Sequence, residues 1–164
     1  EVVEAMNRVC LASERQDLLR FQTERREPTL DRVDEGIAMA AMFLANHLDV
    51  AAIAALTESG STALWMSRIN STIPVYAFTR HVKSLRRVTL YRGVFPVYLD
   101  CMGKTHAQVN RATIEVLQGC DEVKKNDLVI LTKGDLIGVN GGTNAMKILR
   151  VGHLIEEEMD PEST

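Results

Sequence analysis

Residues 57–62 combine hydroxyl side chains with a glycine in a way that suits the binding of a phosphate group. Thr57, Ser59, Ser61 and Thr62 supply up to four donor hydroxyls, and Gly60 lets the backbone come close to a ligand. A short apolar run precedes the segment and a helical pattern follows it, so the segment joins a strand to a helix start. A tetrahedral anion there would also meet free backbone N–H groups. We therefore interpret residues 57–62 as a phosphate-binding turn, called the phosphate turn below.

A second interpretation of the same segment needs no ligand. Ser59 or Ser61 could merely cap the helix, as any α/β domain requires. Glu58 argues against a bound phosphate, because its carboxylate would have to point away from that anion. The segment matches neither the Walker pattern nor the dinucleotide fingerprint, and Gly103-Lys104-Thr105 lacks the upstream glycine of a Walker motif. Both interpretations stay open on this segment alone.

The remaining residue types do not indicate catalysis or metal binding. The sequence shows no nucleophile–base pairing, no paired carboxylates at a defined spacing, and no His or Cys at ligand spacing. The formal net charge of -3 gives no general attraction to nucleic acid or to an anionic membrane. Residues 80–87 form a basic run, which is either a solvated helix face or a funnel for a small anion. Three widely spaced cysteines and the lack of a membrane-length apolar run lead us to expect a soluble, cytoplasmic protein.

Strand-like and helix-like patterns alternate along the body of the chain, which predicts an α/β fold. The predicted helices are 33–48, 63–69, a helix capped by Thr79 that runs to Leu90, and 104–118. The predicted strands are 50–56, 73–78, 94–99, 127–132 and 145–151. This alternation predicts a three-layer α/β/α sandwich with a five-stranded, mostly parallel sheet whose last strand is antiparallel. The phosphate turn and the glycine-rich loop 132–144 both begin at carboxyl ends of strands, where such sheets bind ligands.

We expect the chain to divide into four parts. They are a terminal helix, a polar connector, the α/β body and an acidic, disordered tail, over residues 1–16, 17–30, 31–152 and 153–164. The first helix places Val2, Met6, Val9 and Cys10 on one face, so it needs a partner surface.

Several segments together resemble the C-terminal domain of pyruvate kinase. They are residues 4–14, Thr57-Glu58-Ser59-Gly60-Ser61-Thr62-Ala63, Ser67-Arg68-Ile69, Leu90-Tyr91-Arg92-Gly93-Val94-Phe95-Pro96-Val97 and Gly141-Gly142-Thr143-Asn144. The likeness covers nearly the whole chain in the family's order. It implies that the first helix is left over from a catalytic (β/α)8 barrel and that the α/β body is a regulatory domain. Without the barrel, we expect no kinase activity from this chain alone.

The resemblance also implies a function and a ligand. The full-length enzyme transfers a phosphoryl group from phosphoenolpyruvate to ADP in glycolysis, giving pyruvate and ATP, with magnesium and potassium bound in the barrel. Family members are commonly activated by AMP or a phosphorylated sugar. By matched position, Thr57, Ser59, Gly60, Ser61 and Thr62 bind the effector phosphate, and the effector lid comprises Lys133, Asp135, Gly141, Gly142 and Thr143. Because Asp135 would repel a second phosphate, the chain resembles the bacterial type that responds to AMP or sugar monophosphates.

The same resemblance implies a homo-oligomer, which is a tetramer in the full enzyme and a dimer for this shorter chain. Two alternatives remain open at this stage. One is a purely structural oligomerisation domain with a vestigial phosphate turn, and the other is a freestanding phosphate-binding protein of the same fold.

Overall fold

The computed structural model describes residues 1–20, 30–135 and 141–153, with only the backbone described for residues 14–20. The chain forms two compact units, Glu1–Asp31 and Arg32–Thr164. In the first unit, helix α1 spans Val2–Arg20 and thus continues into the segment expected to be a connector. Its large apolar side chains within residues 1–13 are exposed. The rest of the connector, most of the acidic tail and the middle of the glycine-rich loop lie outside the described residues.

The second unit alternates helices and strands around one sheet. Its elements are α2 (Val33–Ala45), β1 (Val50–Leu56), α3 (Ser61–Ser67), β2 (Val75–Thr79), α4 (Val82–Val88), β3 (Val94–Tyr98), α5 (His106–Gly119), β4 (Leu128–Gly134) and β5 (Thr143–Arg150). The strand order is β3-β2-β1-β4-β5. Strands β1 to β4 pair in parallel, and β5 pairs antiparallel to β4. The predicted five-stranded, mostly parallel sheet with an antiparallel last strand is confirmed.

Helices cover both faces of this sheet. Helices α2, α3 and α4 pack on one face, where Ala41, Met66 and Val88 are buried against Ile53 and Ile130. Helix α5 packs on the other face through two buried side chains, Ile114 and Leu117. Both faces of the central strand β1 are therefore covered, which explains why β1 is a continuous apolar run.

Several predicted boundaries are wrong by one to three residues, and three of them have a local reason. Strand β2 begins at Val75 rather than two residues earlier, because Pro74 has no N–H to donate to a neighbouring strand. Thr79 ends β2 instead of capping α4, and its hydroxyl accepts from the His81 N–H at 3.2 Å. Helix α5 begins at His106, because Thr105 caps it in a capping box with Gln108.

Candidate functional site

The phosphate turn lies where the connections of the sheet change direction. The helices after β1 and β2 pack on one face and α5 packs on the other, so the strand order reverses between β1 and β4. In doubly wound sheets, the carboxyl ends of the strands at this reversal form the ligand crevice. The phosphate turn directly follows β1, and Lys133 and Gly134 end the neighbouring β4.

Gly60 shapes the phosphate turn. Its φ of +84° lies in the left-handed region, and a Cβ there would lie 2.8 Å from Cγ1 of Val88 on α4. The Gly60 N–H donates to Thr57 Oγ1 at 2.9 Å, which closes the turn and leaves the Thr57 hydroxyl hydrogen available for another acceptor. Only glycine satisfies both the backbone conformation and the close approach of α4.

The hydroxyls of the phosphate turn divide into two groups. Ser59 Oγ donates to Ser61 Oγ at 3.2 Å, and both serines are half-buried at the rim of the turn. Thr62 is instead fully buried, with its hydroxyl 2.8 Å from that of Thr143 at the start of β5. This hydrogen bond connects the phosphate turn to the end of the lid. Its role as a phosphate ligand stays a prediction.

The segment that leads into α4 binds the Glu58 carboxylate, and α4 itself contacts the backbone of the phosphate turn. His81 Nε2 binds one carboxylate oxygen, and Arg80 Nε approaches the same oxygen at 3.5 Å. The Ser84 hydroxyl donates to the Glu58 carbonyl at 2.6 Å, and Arg87 donates to the Ser59 carbonyl at 3.4 Å. The basic run 80–87 is thus partly a face that contacts the phosphate turn, and it opposes the negative charge that argued against a bound anion.

A second ion pair lies at the start of α2. Arg32 binds Asp34 through two parallel hydrogen bonds, Nε to Oδ1 at 2.8 Å and NH2 to Oδ2 at 2.9 Å. The pKa of the Asp34 carboxyl lies below its ordinary value, chiefly because of the hydrogen bonds and charge of Arg32. Ser61 and the Glu35 backbone lower this pKa slightly further, whereas burial raises it. This pair was not predicted as part of the site, because only the packing of α2 against α3 brings the start of α2 near the phosphate turn.

A cleft opens beside the turn at the carboxyl ends of the parallel strands. Its described walls combine an apolar floor with polar groups and the end of the lid, namely Leu56, Phe78, Leu99, Val109, Thr57, Glu58, Thr79, Arg80, Cys101, Lys133, Gly134, Gly141, Gly142 and Thr143. Of the residues assigned to the phosphate turn and lid, Thr57, Lys133, Gly141, Gly142 and Thr143 share this cleft. The apolar floor and Cys101 were not foreseen, because they come from β1, β2, α5 and the loop that follows β3.

The two charged lid residues have different surroundings. Lys133 Nζ donates to Asn110 Oδ1 on α5 at 3.0 Å. Burial, and the nearby Lys147 cation, lower the pKa of Lys133. Asp135 is exposed, and its carboxylate accepts from the Asn144 amide at 2.9 Å. Asp135 is not among the described cleft walls, so its assignment to the effector lid stays a prediction.

Neither a metal-ligand cluster nor a membrane-spanning helix occurs among the described residues. No group of three or more His, Cys, Asp or Glu in this part of the chain could hold a metal ion. No helix within the described ranges has the length and apolar character needed to cross a membrane.

Fold and site together define a doubly wound α/β domain with a candidate anion site at its switch point. The family model for "Pyruvate kinase, alpha/beta domain" matches residues 35–149. The chain belongs to this pyruvate kinase domain family. It is 42% identical over 152 residues to pyruvate kinase II of Salmonella typhimurium, covering 92% of this chain and 32% of that protein. It is 40% identical over 152 residues to a pyruvate kinase of Buchnera aphidicola, covering 92% of this chain and 31% of that protein. The chain therefore spans about a third of the length of these relatives.

Proposed function

We propose that the unit Arg32–Thr164 binds a phosphorylated small molecule, either AMP or a sugar monophosphate, as an allosteric effector. The phosphate lies in the phosphate turn, and the remainder of the ligand occupies the cleft. The proposal is carried by the left-handed Gly60, which presents the hydroxyls of Ser59 and Ser61 at the switch point of the sheet. Arg87, which donates to the Ser59 carbonyl, is a cation in contact with the turn and adds electrostatic support.

For the whole protein we propose pyruvate kinase activity, as the names of its relatives state. Full-length pyruvate kinase would transfer a phosphoryl group from phosphoenolpyruvate to ADP in the cytoplasm, using magnesium and potassium in its catalytic barrel. The domain described here would report effector binding to that barrel through subunit contacts, since allosteric coupling requires two sites that bias the same conformational equilibrium. We assign no reaction step to the residues of this chain.

The test is calorimetric titration of the chain with ribose 5-phosphate, glucose 6-phosphate, AMP and fructose 1,6-bisphosphate. We expect saturable binding of at least one monophosphate, weakened about tenfold or more by Ser61→Ala because a hydrogen bond to a charged phosphate is lost. Ser67→Ala is the matched control, since its hydroxyl donates to the Leu64 carbonyl at 2.7 Å within the same helix. Absence of binding would contradict effector capture, and tightest binding of the bisphosphate would contradict the monophosphate assignment.

The structural alternative has its own supporting observation. Helix α2 and the turn after it expose apolar side chains, with Val33 66%, Phe43 53% and Leu48 40% exposed. Exposed apolar side chains of this size occur at protein interfaces. If no phosphate ligand binds but Phe43→Ser lowers the mass of the particle in light scattering, an oligomerisation domain with a vestigial turn is the better description.

A further inference from the structure

Glu58 places an acidic residue on the wall of the cleft, directly after the first residue of the phosphate turn. Its side chain is only 17% exposed. A carboxylate here opposes a bound phosphate, because like charges repel strongly in a poorly solvated place. The contact of this residue with α4 uses its backbone carbonyl, which accepts from the Ser84 hydroxyl at 2.6 Å. Since any residue type has that carbonyl, the contact with α4 does not explain why the side chain is an acid.

The two oxygens of the Glu58 carboxylate differ in their contacts. Oε2 accepts from His81 Nε2, and Arg80 Nε lies 3.5 Å from the same oxygen. Oε1 has no hydrogen-bond partner among the residues that the structure describes, and it is not sealed off from solvent. The contacts at Oε2 orient the carboxylate, whereas Oε1 is available to accept a hydrogen bond from a ligand in the cleft.

Arg80 and Lys133 bring hydrogen-bond donors to the same cleft, one on each side of Glu58. Arg80 follows β2, Glu58 follows β1 and Lys133 belongs to β4, and these strands are neighbours in the sheet in the order β2-β1-β4. NH1 and NH2 of Arg80 make no hydrogen bond within the described part of the chain. Lys133 Nζ uses one of its three donors on Asn110. A hydroxyl group both donates and accepts, so it suits a carboxylate that lies between two cations.

We propose that Glu58 selects effectors whose carbon skeleton carries free hydroxyl groups, by accepting a hydrogen bond from a sugar hydroxyl. This inference rests on the proposed function and narrows it, because hydroxyls and amides at the phosphate turn would accept any phosphate monoester. Arg80 and His81 are positioning residues that orient the carboxylate through Oε2. The hydrogen bond to the sugar offsets the repulsion between Glu58 and the phosphate, and a monoester without hydroxyls meets that repulsion alone.

Calorimetric titration of the full chain with ribose 5-phosphate and with n-pentyl phosphate tests this inference. The two ligands share a phosphate group and a five-carbon skeleton, but only the sugar has hydroxyls. We expect Glu58→Gln to reduce the preference for ribose 5-phosphate, measured as the ratio of the two Kd values, by about fivefold or more, because a hydrogen bond to a charged acceptor is stronger than one to a neutral amide. Glu115→Gln, on the exposed face of α5, is the charge-matched control and should leave this ratio unchanged.

If Glu58→Gln changes both affinities by the same factor, Glu58 acts on the phosphate alone, so this inference fails while effector binding stands. A second measurement on the unaltered chain keeps the inference testable if Glu58→Gln fails to fold. At saturation, the ¹³C resonance of the Glu58 carboxyl should shift further with ribose 5-phosphate than with pentyl phosphate, whereas the Gly60 amide should shift with both. Equal shifts of the carboxyl with both ligands would overturn the inference. If the Gly60 amide shows no saturable shift with either ligand, both proposals fail.

Discussion

Replacing Gly60 by Ala tests whether α4 and the phosphate turn depend on each other. An alanine at φ +84° incurs a left-handed strain of about 1–2 kcal/mol. Its Cβ would also lie 2.8 Å from Cγ1 of the fully buried Val88, and overpacking of this kind costs about 1–3 kcal/mol. We therefore expect Gly60→Ala to lower the free energy of unfolding by roughly 2–5 kcal/mol, a large part of the stability of a typical domain.

Urea unfolding followed by circular dichroism measures this effect. Gly103→Ala is the matched control, because Gly103 also has a positive φ, of +72°, but a Cβ there has no heavy atom within 4 Å. It should lose only the backbone contribution of about 1–2 kcal/mol. Adding Val88→Ala to Gly60→Ala should cost less than Val88→Ala alone, because the overlap is relieved. Equal losses for Gly60→Ala and Gly103→Ala would refute the argument that α4 contacts the turn closely.

Three further predictions concern the links around the site. Thr62→Val should destabilise the domain by about 1–3 kcal/mol in urea unfolding, because the buried Thr143 hydroxyl loses its partner. If a Thr62→Val, Thr143→Val double variant loses as much stability as the two single variants added together, the two hydroxyls are not paired. The pKa of Asp34 is lowered in the folded state, so its contribution to stability is complete above the ordinary pKa of 3.8 and is lost as the pH falls through the folded pKa. When the unfolding midpoint is measured against pH, Asp34→Asn should therefore lose less stability in acid than the parent chain. The same pH profile for both proteins would contradict this. The pKa of Lys133 is lowered, so pyridoxal 5′-phosphate with borohydride at pH 8 should label Lys133 faster than the exposed Lys83. Ribose 5-phosphate should protect Lys133 from this labelling. If peptide mapping finds Lys133 unlabelled, or labelled but unprotected, the cleft is not the ligand site.

Much of the fold could be predicted because its signals are local. The apolar run of β1 is covered on both faces, so its pattern alone marks a buried strand with bounds at Val50 and Leu56. The errors arose where one residue had two possible local roles. Threonine is a residue type that often caps helices, yet the backbone of Thr79 pairs with Tyr98 of β3, so Thr79 belongs to the sheet.

The candidate site was only partly predictable, for a different reason. Hydroxyls and a glycine next to each other identified the phosphate turn, but the groups around it come from distant parts of the chain. Asp34 was not assigned to the site, because only the packing of α2 against α3 brings the start of α2 near the phosphate turn. Likewise, His81 reaches Glu58 across 23 residues of sequence, a pairing that no local spacing rule predicts.

The most direct test of phosphate capture by the turn is a titration of the ¹⁵N-labelled chain with ribose 5-phosphate, followed amide by amide. Our account predicts saturable shifts concentrated at Ser59, Gly60 and Ser61 and, across the cleft, at Lys133, with little change at Asn126, beyond the amino end of β4. Shifts that do not saturate, or that centre on the Asn126 end of the sheet, would contradict it.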